Sequence, residues 1–243
     1  MLFTIITVTL NSEQSIQKTI NSINKQSYKN FQYIIIDGGS TDSTIKIIKK
    51  KMKRKYILIS EKDNGIYDAM NKGIKISQGE YVAFLNSDDW LNKDTLLDVS
   101  LFVKNKKPKI IYGDAQFFKN KKKCYYAKAK IQNIENDMSL LHSSFYIRKN
   151  IIKKNLFDEN FIISSDYKQI IDLKKKYKFN YYPKSLSNVS MGGMSSNLLL
   201  SSQEFFLIQK KYFGFNKAIL NYSTKYHYHM IKIFYLFIKN FFS

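Results

Sequence analysis

Cysteine is almost absent from this sequence, since Cys124 is the only one among 243 residues. A single cysteine excludes an internal disulfide and any zinc site made from several cysteine ligands. A secretory signal is also missing, because no basic segment followed by an apolar stretch opens the chain. The first ten residues are instead typical of a β-strand. We therefore expect a cytoplasmic protein.

Acidic residues and arginine are scarce as well. Only 19 Asp and Glu stand against 40 Lys and Arg, which gives a formal net charge of +21. Such a charge attracts nucleic acid, anionic lipid or anionic substrates. Specific nucleic-acid recognition relies on the bidentate arginine fork, however, and Arg54 and Arg148 are the only arginines. We expect no nucleic-acid partner, and read the lysine excess either as biased codon usage or as attraction to a membrane surface.

The apolar content is sufficient for a folded core. Hydrophobic residues make up 44% of the chain and aromatic residues 15%, so extensive disorder is excluded. Strand-like runs alternate with helical periodicity, which predicts an α/β fold with a mainly parallel, Rossmann-like sheet flanked by helices. The predicted strands are 3–9, 31–36, 56–59, 80–85, 109–112 and 179–182. The predicted helices begin at Asn11 or Ser12, at Thr41 or Ser43, at Asp68, at Lys93, and at Ser164 or Ser165.

Polar side chains follow four of these strands. Asn11, Asp37, Asp63 and Asp88 each come just after a predicted strand. Parallel sheets bind ligands at the carboxyl ends of their strands, so we expect these side chains to gather at one edge. The sequence therefore predicts a ligand site at that edge.

The segment Asn86-Ser87-Asp88-Asp89 is the strongest candidate for a metal site. Hard divalent cations prefer carboxylate oxygens and keep part of their coordination for water and phosphate. A strand-end loop with two acids suits Mg²⁺ or Mn²⁺ held against a diphosphate. The alternative is that both acids only cap a helix or shape a turn.

A glycine turn follows the second strand. Asp37-Gly38-Gly39-Ser40 makes a tight strand end, where an aspartate can accept a hydrogen bond from a base N–H. The turn lacks the Lys-Ser/Thr of a phosphate-binding P-loop and the spacing of a dinucleotide fingerprint. An ordinary strand-to-helix turn remains the alternative.

Four motifs in this order resemble family 2 of the inverting glycosyltransferases, which have the GT-A fold. They are Val8-Thr9-Leu10-Asn11, Ile36 to Asp42, Glu61 to Gly73, and Gly79 to Asp89. The match is strong over residues 1–115 and weaker to about residue 195. It implies transfer of a sugar from a nucleotide-sugar, with UDP as the expected carrier, to a hydroxyl of a glycan or lipid-linked acceptor in surface polysaccharide synthesis.

The resemblance also implies roles for single residues. Asp88 matches the metal-binding aspartate, for Mn²⁺ or Mg²⁺, and Asp37 the acid that contacts the base. The remaining positions implied for nucleotide or donor binding are Thr9, Asn11, Asp63, Asp68, Asn71, Asn86 and Asp89. Two positions depart from the family pattern: Asn86 replaces the usual first acid, and Met70 stands where many members have arginine.

The second half resembles the acceptor side of the family. Asp166 matches the catalytic base that takes the proton of the acceptor hydroxyl, and the alternative is an acid favoured by the first turn of a helix. His142 lies in a segment similar to the acceptor-side strand, as a packed histidine or an acceptor contact. The turn Gly192 to Ser195 resembles the end of the conserved part, bordering the diphosphate or forming a plain loop.

These matches divide the chain at residue 195. We predict a GT-A domain over 1–195, with a nucleotide-sugar half (1–115) and an acceptor and catalytic-base half (116–195), and a helical tail over 196–243. The apolar spacing from Tyr226 onward is too short and too interrupted by lysine for a membrane span. It fits an interfacial helix on the inner membrane face or a helix packed on protein. His227 and His229 fall on different helix faces, which argues against a shared metal site.

Three other functions fit parts of the sequence. A nucleotidyltransferase would share the architecture, but would carry a Gly- and Lys/Arg-rich loop after the first strand, and none is present. A protein that binds membranes or nucleic acid through its basic surface is another alternative, but it does not explain the acids at the strand ends. An inactive homologue is suggested by Asn86 alone.

Overall fold

The computed structural model describes residues 1–120, 122–136, 140–192, 197–224 and 226. Its strands are β1 (Phe3–Thr9), β2 (Phe31–Asp37), β3 (Ile57–Ser60), β4 (Tyr81–Phe84), β5 (Ile110–Lys119), β6 (Lys122–Ala127), β7 (Phe145–Arg148) and β8 (Phe179–Ser190). Its helices are α1 (Ile16–Asn24), α2 (Thr44–Lys51), α3 (Ile66–Ile76), α4 (Thr95–Lys106), α5 (Lys149–Ile152), α6 (Ser165–Lys176) and α7 (Leu198–Phe213). Residues 215–224 are also helical.

The strands form one mixed sheet in the order β3-β2-β1-β4-β7-β5-β6, with β8 paired to β5. The four strands β3, β2, β1 and β4 are parallel to one another. Strand β7 is antiparallel to both β4 and β5, whereas β8 is parallel to β5. The predicted α/β fold with a largely parallel sheet is confirmed.

Helices cover both faces of the sheet. Alternate residues of β1 point to opposite sides: Ile6 and Val8 belong to one buried cluster, and Phe3 and Ile5 to the other. The first cluster includes apolar residues of α3, α6 and α7, and the second those of α1, α2 and α4. Since α7 contributes Phe205 to this core, the first helix of the predicted tail packs as part of the domain.

Most predicted elements are present, with two corrections. Helix α1 begins at Ile16, with Ser15 as the residue before it, and so starts later than predicted. Asn11 and Ser12 lie in the preceding loop and do not cap the helix. Strands β5 and β8 are much longer than predicted, since they pair with each other from Ile110↔Phe179 to Phe118↔Ser190. That pairing joins segments about 70 residues apart, and local periodicity does not reveal it.

The predicted amphipathic tail lies beyond the described residues, except for Tyr226. The predicted turn at Gly192 to Ser195 is described only at Gly192, and His227 and His229 are not described. Within the described ranges, none of the helices combines the length and apolar character needed to cross a membrane.

The turn between α3 and β4 depends on a glycine. A Cβ added to Gly79 would lie 2.5 Å from the backbone nitrogen of Thr4, and closer still to the Phe3 carbonyl carbon. Backbone atoms of a central strand cannot move aside, so only glycine lets the chain enter β4 beside β1.

We expect Gly79→Ala to lower the free energy of unfolding by about 2 kcal/mol or more, because overpacking against backbone displaces β1 or β4. The control is Gln78→Ala at the exposed neighbouring position, expected to stay within about 0.5 kcal/mol. Urea unfolding of both variants measures the difference. Equal stability of the two variants would contradict this account of the turn.

Candidate active site

The carboxyl ends of β1, β2 and β4 lie at one edge of the sheet. Thr9 pairs with Asp37 across β1 and β2, and Ile6 pairs with Phe84 across β1 and β4. The loops that follow these strands therefore leave the sheet next to each other. This confirms that the strand-end residues gather at one edge.

Asp37 is fully buried and holds the glycine turn together. Its Oδ2 accepts hydrogen bonds from the N–H groups of Gly39 (3.1 Å) and Ser40 (2.9 Å) and from the Ser60 hydroxyl (2.7 Å). The Ser40 hydroxyl donates to Oδ1. Most of the acceptor capacity of this carboxylate is thus used inside the protein, and Oδ1 keeps room for one more donor.

The loops after β1 and β2 are bound to each other. Asn11 has a positive φ of 46° and its Oδ1 accepts from the Thr41 N–H at 2.9 Å. Glu13 accepts from the Ser43 N–H at 2.9 Å, and its own N–H donates to Asp42 at 3.0 Å. Asn11 is exposed, so its side chain positions the loop at the mouth of the site.

Asp63 lies directly over Gly38. A Cβ at Gly38 would meet its carboxylate, with the Cγ of Asp63 only 3.0 Å away. The Asp63 Oδ1 accepts from the Gly65 N–H at 3.0 Å. The glycine turn is therefore needed for the close approach of an acid to the end of β2.

Asp68 and Asn71 on α3 are engaged in the fold itself. Asp68 accepts from the Asn64 N–H at 3.0 Å and pairs with Lys72 at 3.2 Å. The hydrogen bond from the Asn64 N–H is the largest cause that lowers the pKa of Asp68, and the contact with Lys72 lowers this pKa further. The buried amide of Asn71 donates to the Phe157 carbonyl (3.0 Å) and to Glu159 (2.8 Å) and accepts from the Phe157 N–H (2.9 Å). Through these contacts Asn71 holds the segment at Phe157, and its role in donor binding stays a prediction.

The acid loop after β4 contains two carboxylates in different environments. Asp89 is 1% exposed, and accepts from the Ser190 N–H at 3.0 Å and from the Asn86 amide at 3.1 Å. Burial and the neighbouring charge of Asp88 raise the pKa of Asp89 well above its usual value. Asp88 is half-buried, and burial also raises its pKa. Asp89 thus ties the loop to β8, whereas Asp88 is the acid available to a cation.

The residues at this loop fit a cation that is held partly by the substrate. Among the residues described, no group of three or more His, Cys, Asp or Glu could hold a metal by itself. Asp88 and the Asn86 Oδ1 are hard oxygen donors, and that Oδ1 is buried with no hydrogen-bond partner. Magnesium-like ions commonly bind through one or two carboxylates plus phosphate and water. Asp88 with Asn86 supplies such a partial set.

Asp166 lies in the first turn of helix α6 and has three hydrogen-bonding neighbours, of which the Tyr167 N–H donates to Oδ1 at 2.8 Å. Its Oδ1 accepts from the Tyr67 hydroxyl at 3.1 Å, and its Oδ2 lies 3.2 Å from Nδ1 of His142. The His142 ring packs edge-on against Phe84 at 6.0 Å, two residues before Asn86. Burial and the Asp166 charge raise the pKa of Tyr67 well above its usual value, so this hydroxyl stays protonated as a donor. The structure therefore brings the predicted base to the end of β4, beside the acid loop.

Three buried polar atoms at this edge have no hydrogen-bond partner in the described part of the chain: Oγ1 of Thr9, Oδ1 of Asn86 and Nε2 of His142. Buried polar groups are normally paired, since leaving one unpaired costs about 1–3 kcal/mol. Three such atoms on the ends of β1 and β4 and before β7 are readily explained by a polar ligand that pairs with them.

Glu204 on α7 is a contributor that the sequence patterns missed. Its buried carboxylate accepts from the N–H groups of Ile162 (2.6 Å), Ile163 (2.9 Å) and Ser164 (2.8 Å). These N–H groups lie just before and at the start of α6, so Glu204 positions the first turn that carries Asp166. A lone glutamate in a helix carries no sequence signal, because its partners lie 40 residues away.

The comparisons with known proteins give a family match and several relatives. Residues 4–166 match the family described as Glycosyl transferase family 2. A PGL/p-HBAD biosynthesis glycosyltransferase of Mycobacterium bovis (strain BCG / Pasteur 1173P2) is 36% identical over 118 residues, which cover 46% of each chain. The poly(ribitol-phosphate) beta-N-acetylglucosaminyltransferase TarS of Staphylococcus aureus (strain Mu50 / ATCC 700699) is 35% identical over 108 residues, covering 42% of this chain and 19% of TarS. The chain thus spans less than half the length of these curated relatives.

Solved structures show the same fold. The crystal structure of S. aureus TarS 1-349 in complex with UDP-GlcNAc has a TM-score of 0.69 at 23% identity, covering 86% of this chain and 64% of the other. The mannosyltransferase PcManGT from Pyrobaculum calidifontis, in complex with GDP-Man and Mn²⁺, has a TM-score of 0.62 at 14% identity, covering 85% and 62%. At these identities the likeness establishes the fold, and it confirms the predicted GT-A architecture.

We expect Glu204→Gln to lower the free energy of unfolding by about 1–3 kcal/mol, because one buried N–H loses its acceptor. The exposed neighbour Gln203 provides the control as Gln203→Ala, which should leave stability unchanged within about 0.5 kcal/mol. Urea unfolding distinguishes the two. A glutamine variant as stable as the wild type would show that the carboxylate does not hold α6.

Proposed function

Because the chain belongs to glycosyl transferase family 2, we propose that it is an inverting glycosyltransferase that uses a UDP-sugar. The acceptor is a hydroxyl of a glycan or lipid-linked precursor in surface polysaccharide synthesis. The observation that carries the proposal is the group of unpartnered buried atoms on Thr9, Asn86 and His142, which lie at the strand ends together with Asp88. Binding of a nucleotide-sugar would provide them with partners.

The donor is proposed to lie across the ends of β1 and β2. Thr9 and Asp37 are opposite each other there, and Asp37 keeps acceptor capacity on Oδ1 for a base N–H. Asn11 and Asp63 form the rim of this pocket, and Asp68 holds the adjacent turn through the Asn64 N–H. The binding of UDP-GlcNAc by TarS, a relative of the same fold, supports UDP as the carrier.

A divalent cation, Mn²⁺ or Mg²⁺, is proposed to bind at Asp88 with Asn86 beside it. When bound, such an ion neutralises the charge that develops on the leaving diphosphate. Asp89 shapes the loop through Ser190 and Asn86. The Mn²⁺ complex of the mannosyltransferase PcManGT supports this type of cofactor.

Asp166 is proposed as the catalytic base. A carboxylate must take the proton of the acceptor hydroxyl as its oxygen attacks the anomeric carbon from the face opposite the diphosphate. The Tyr67 hydroxyl and His142 Nδ1 hold the two carboxylate oxygens, which orients the acid before substrate arrives. His142 presents its unpartnered Nε2 to the acceptor side.

The division at residue 195 and the location are proposed on the same basis. The GT-A domain covers 1–195 in two halves, and the segment 196–243 begins with α7, which packs on that domain. A cytoplasmic enzyme at the inner membrane face suits lipid-linked acceptors, with the basic tail as the membrane contact. An inactive homologue is the second candidate, favoured by Asn86 in place of an acid.

We expect Asp88→Asn to lose metal-dependent UDP binding, which isothermal calorimetry with Mn²⁺ and with chelator measures. At neutral pH the melting temperature of the metal-free variant should be higher than that of the metal-free wild type. Burial raises the pKa of Asp88, so the ionised side chain costs stability at neutral pH, and this cost disappears as the pH falls through the raised pKa.

The control for this variant is Asp98→Asn, which removes a partly exposed acid paired with Lys184 on the surface. It should bind UDP like the wild type. Metal-dependent UDP binding by Asp88→Asn would remove Asp88 from the cation site.

We expect Asp166→Asn to bind UDP and Mn²⁺ normally while its rate of sugar transfer falls by about 10²–10⁴-fold, since the amide cannot accept the proton. Asp172→Asn on the same helix, whose carboxylate pairs with Lys168, should keep the wild-type rate. The rate is measured as the UDP released, either by transfer to an acceptor or by hydrolysis of the UDP-sugar. Wild-type turnover by Asp166→Asn would refute the base, and a wild-type chain that binds UDP without any turnover would favour the inactive homologue.

A further inference from the structure

A cleft of about 520 Å³ opens beside the acid loop, on the side away from β2. It lies between α1, the residues that follow β4, and the ends of β5, β6 and β8. The pairings of Val82 with Ile147 and of Ile147 with Ile110 show that β5 continues well past the end of β4. The cleft is therefore formed where the second half of the chain extends over the acid loop.

Aromatic rings form much of the cleft wall. Trp90 and Phe118 lie with ring centroids 4.6 Å apart, and Tyr126 also lines the space. Flat rings next to amide side chains suit a ligand with apolar faces and polar edges, because the rings pack on the faces while the amides bond the edges. Asn92 supplies such an amide, and the Asn188 amide orients it by donating to its Oδ1 at 3.0 Å. A sugar ring has this combination of surfaces.

The charge of the cleft has one sign. Lys18 and Lys123 line it, and none of the described lining residues is acidic. The Lys18 Nζ lies 2.9 Å from the centroid of the Trp90 ring, which places a positive charge directly at the aromatic wall. A ligand that carries a negative group would be attracted here, and a neutral one would not use these charges.

The cleft is joined to the acid loop by direct contacts. Trp90 follows Asp89 in the chain, and its backbone pairs with Asn188 in both directions, at 3.0 and 2.9 Å. Ser190, two residues further along β8, donates from its N–H to Asp89 and from its hydroxyl to the Asp88 carbonyl. A group bound against Trp90 would therefore lie next to the proposed cation site, across the acid loop from the proposed donor pocket.

We propose that this cleft binds a part of the acceptor away from the hydroxyl that reacts at Asp166, and that this part is a saccharide unit with an anionic group, either a phosphate or a carboxylate. The inference rests on the proposed function, because it takes the donor to lie at the ends of β1 and β2. The aromatic wall holds the sugar ring, and the two lysines hold the anionic group at its edge.

The test uses Trp90, the only tryptophan of the chain, as the reporter. Its fluorescence is titrated with glucose 6-phosphate, glucuronate, glucose and inorganic phosphate, in the presence and absence of UDP and Mn²⁺. At least one of the two anionic sugars should change the emission saturably, and glucose and inorganic phosphate should bind about tenfold more weakly or worse, since each lacks one half of the recognised group. A response to glucose 6-phosphate identifies phosphate, and one to glucuronate identifies carboxylate.

Matched lysine variants locate the binding. Lys123→Gln should weaken binding of the active sugar about tenfold, and Lys122→Gln, which removes the same charge from a neighbour that does not line the cleft, should not. Lys18→Gln should weaken binding as well. This variant is measured by calorimetry, because loss of Lys18 changes the surroundings of Trp90 and therefore its fluorescence.

Two results would overturn the inference. One is an emission unchanged by either anionic sugar while UDP still binds with Mn²⁺, which would leave the proposed function intact. The other is inorganic phosphate or glucose binding as well as the anionic sugars. Failure of UDP itself to bind would count against the proposed function. Calorimetry with UDP alone distinguishes this result from failure of the anionic sugars to bind.

Discussion

The site depends on the register of the central strand β1. Its residues pair in parallel with β2 on one side and β4 on the other, starting from Phe3 in both cases. Because the three strands share this register, their carboxyl ends reach the same edge, and the loops that follow them meet. A shift of one residue in either pairing would turn alternate side chains to the opposite face of the sheet. Thr9 would then no longer lie opposite Asp37, nor would Asn86 emerge beside them.

The parts of the fold that local sequence determines were predicted well. Strand β1 and the helix α6 have the bounds expected from their β-branched run and from Ser164 before Asp166. The strand-end positions of Asp37 and Asp88 were also predicted, since the order of strands and helices places them. Strands β5 and β8 were predicted too short because their length comes from pairing between distant segments.

The contacts that hold the site together were harder to predict. Tyr67 reaches Asp166 across 99 residues, and Glu204 reaches the N–H groups before α6 across about 40. Tyr67 lies within the third motif without a role of its own there, and Glu204 lies outside every motif, so either one would pass for an ordinary helical position. Asn71, predicted from its motif to contact the donor, also bonds the backbone of Phe157, a contact that the motif did not suggest. Sequence motifs thus identify the chemistry, and the supports of that chemistry emerge only from the packing.

Glu204 has a consequence for how the proposed base is held. The family match ends at residue 166, so the helix that anchors the start of α6 lies outside the matched residues. Substitution of Glu204 would remove the acceptor of the N–H groups of residues 162–164 and disturb the turn that carries Asp166, without touching any motif. The orientation of the proposed base therefore depends on a helix that no motif marks.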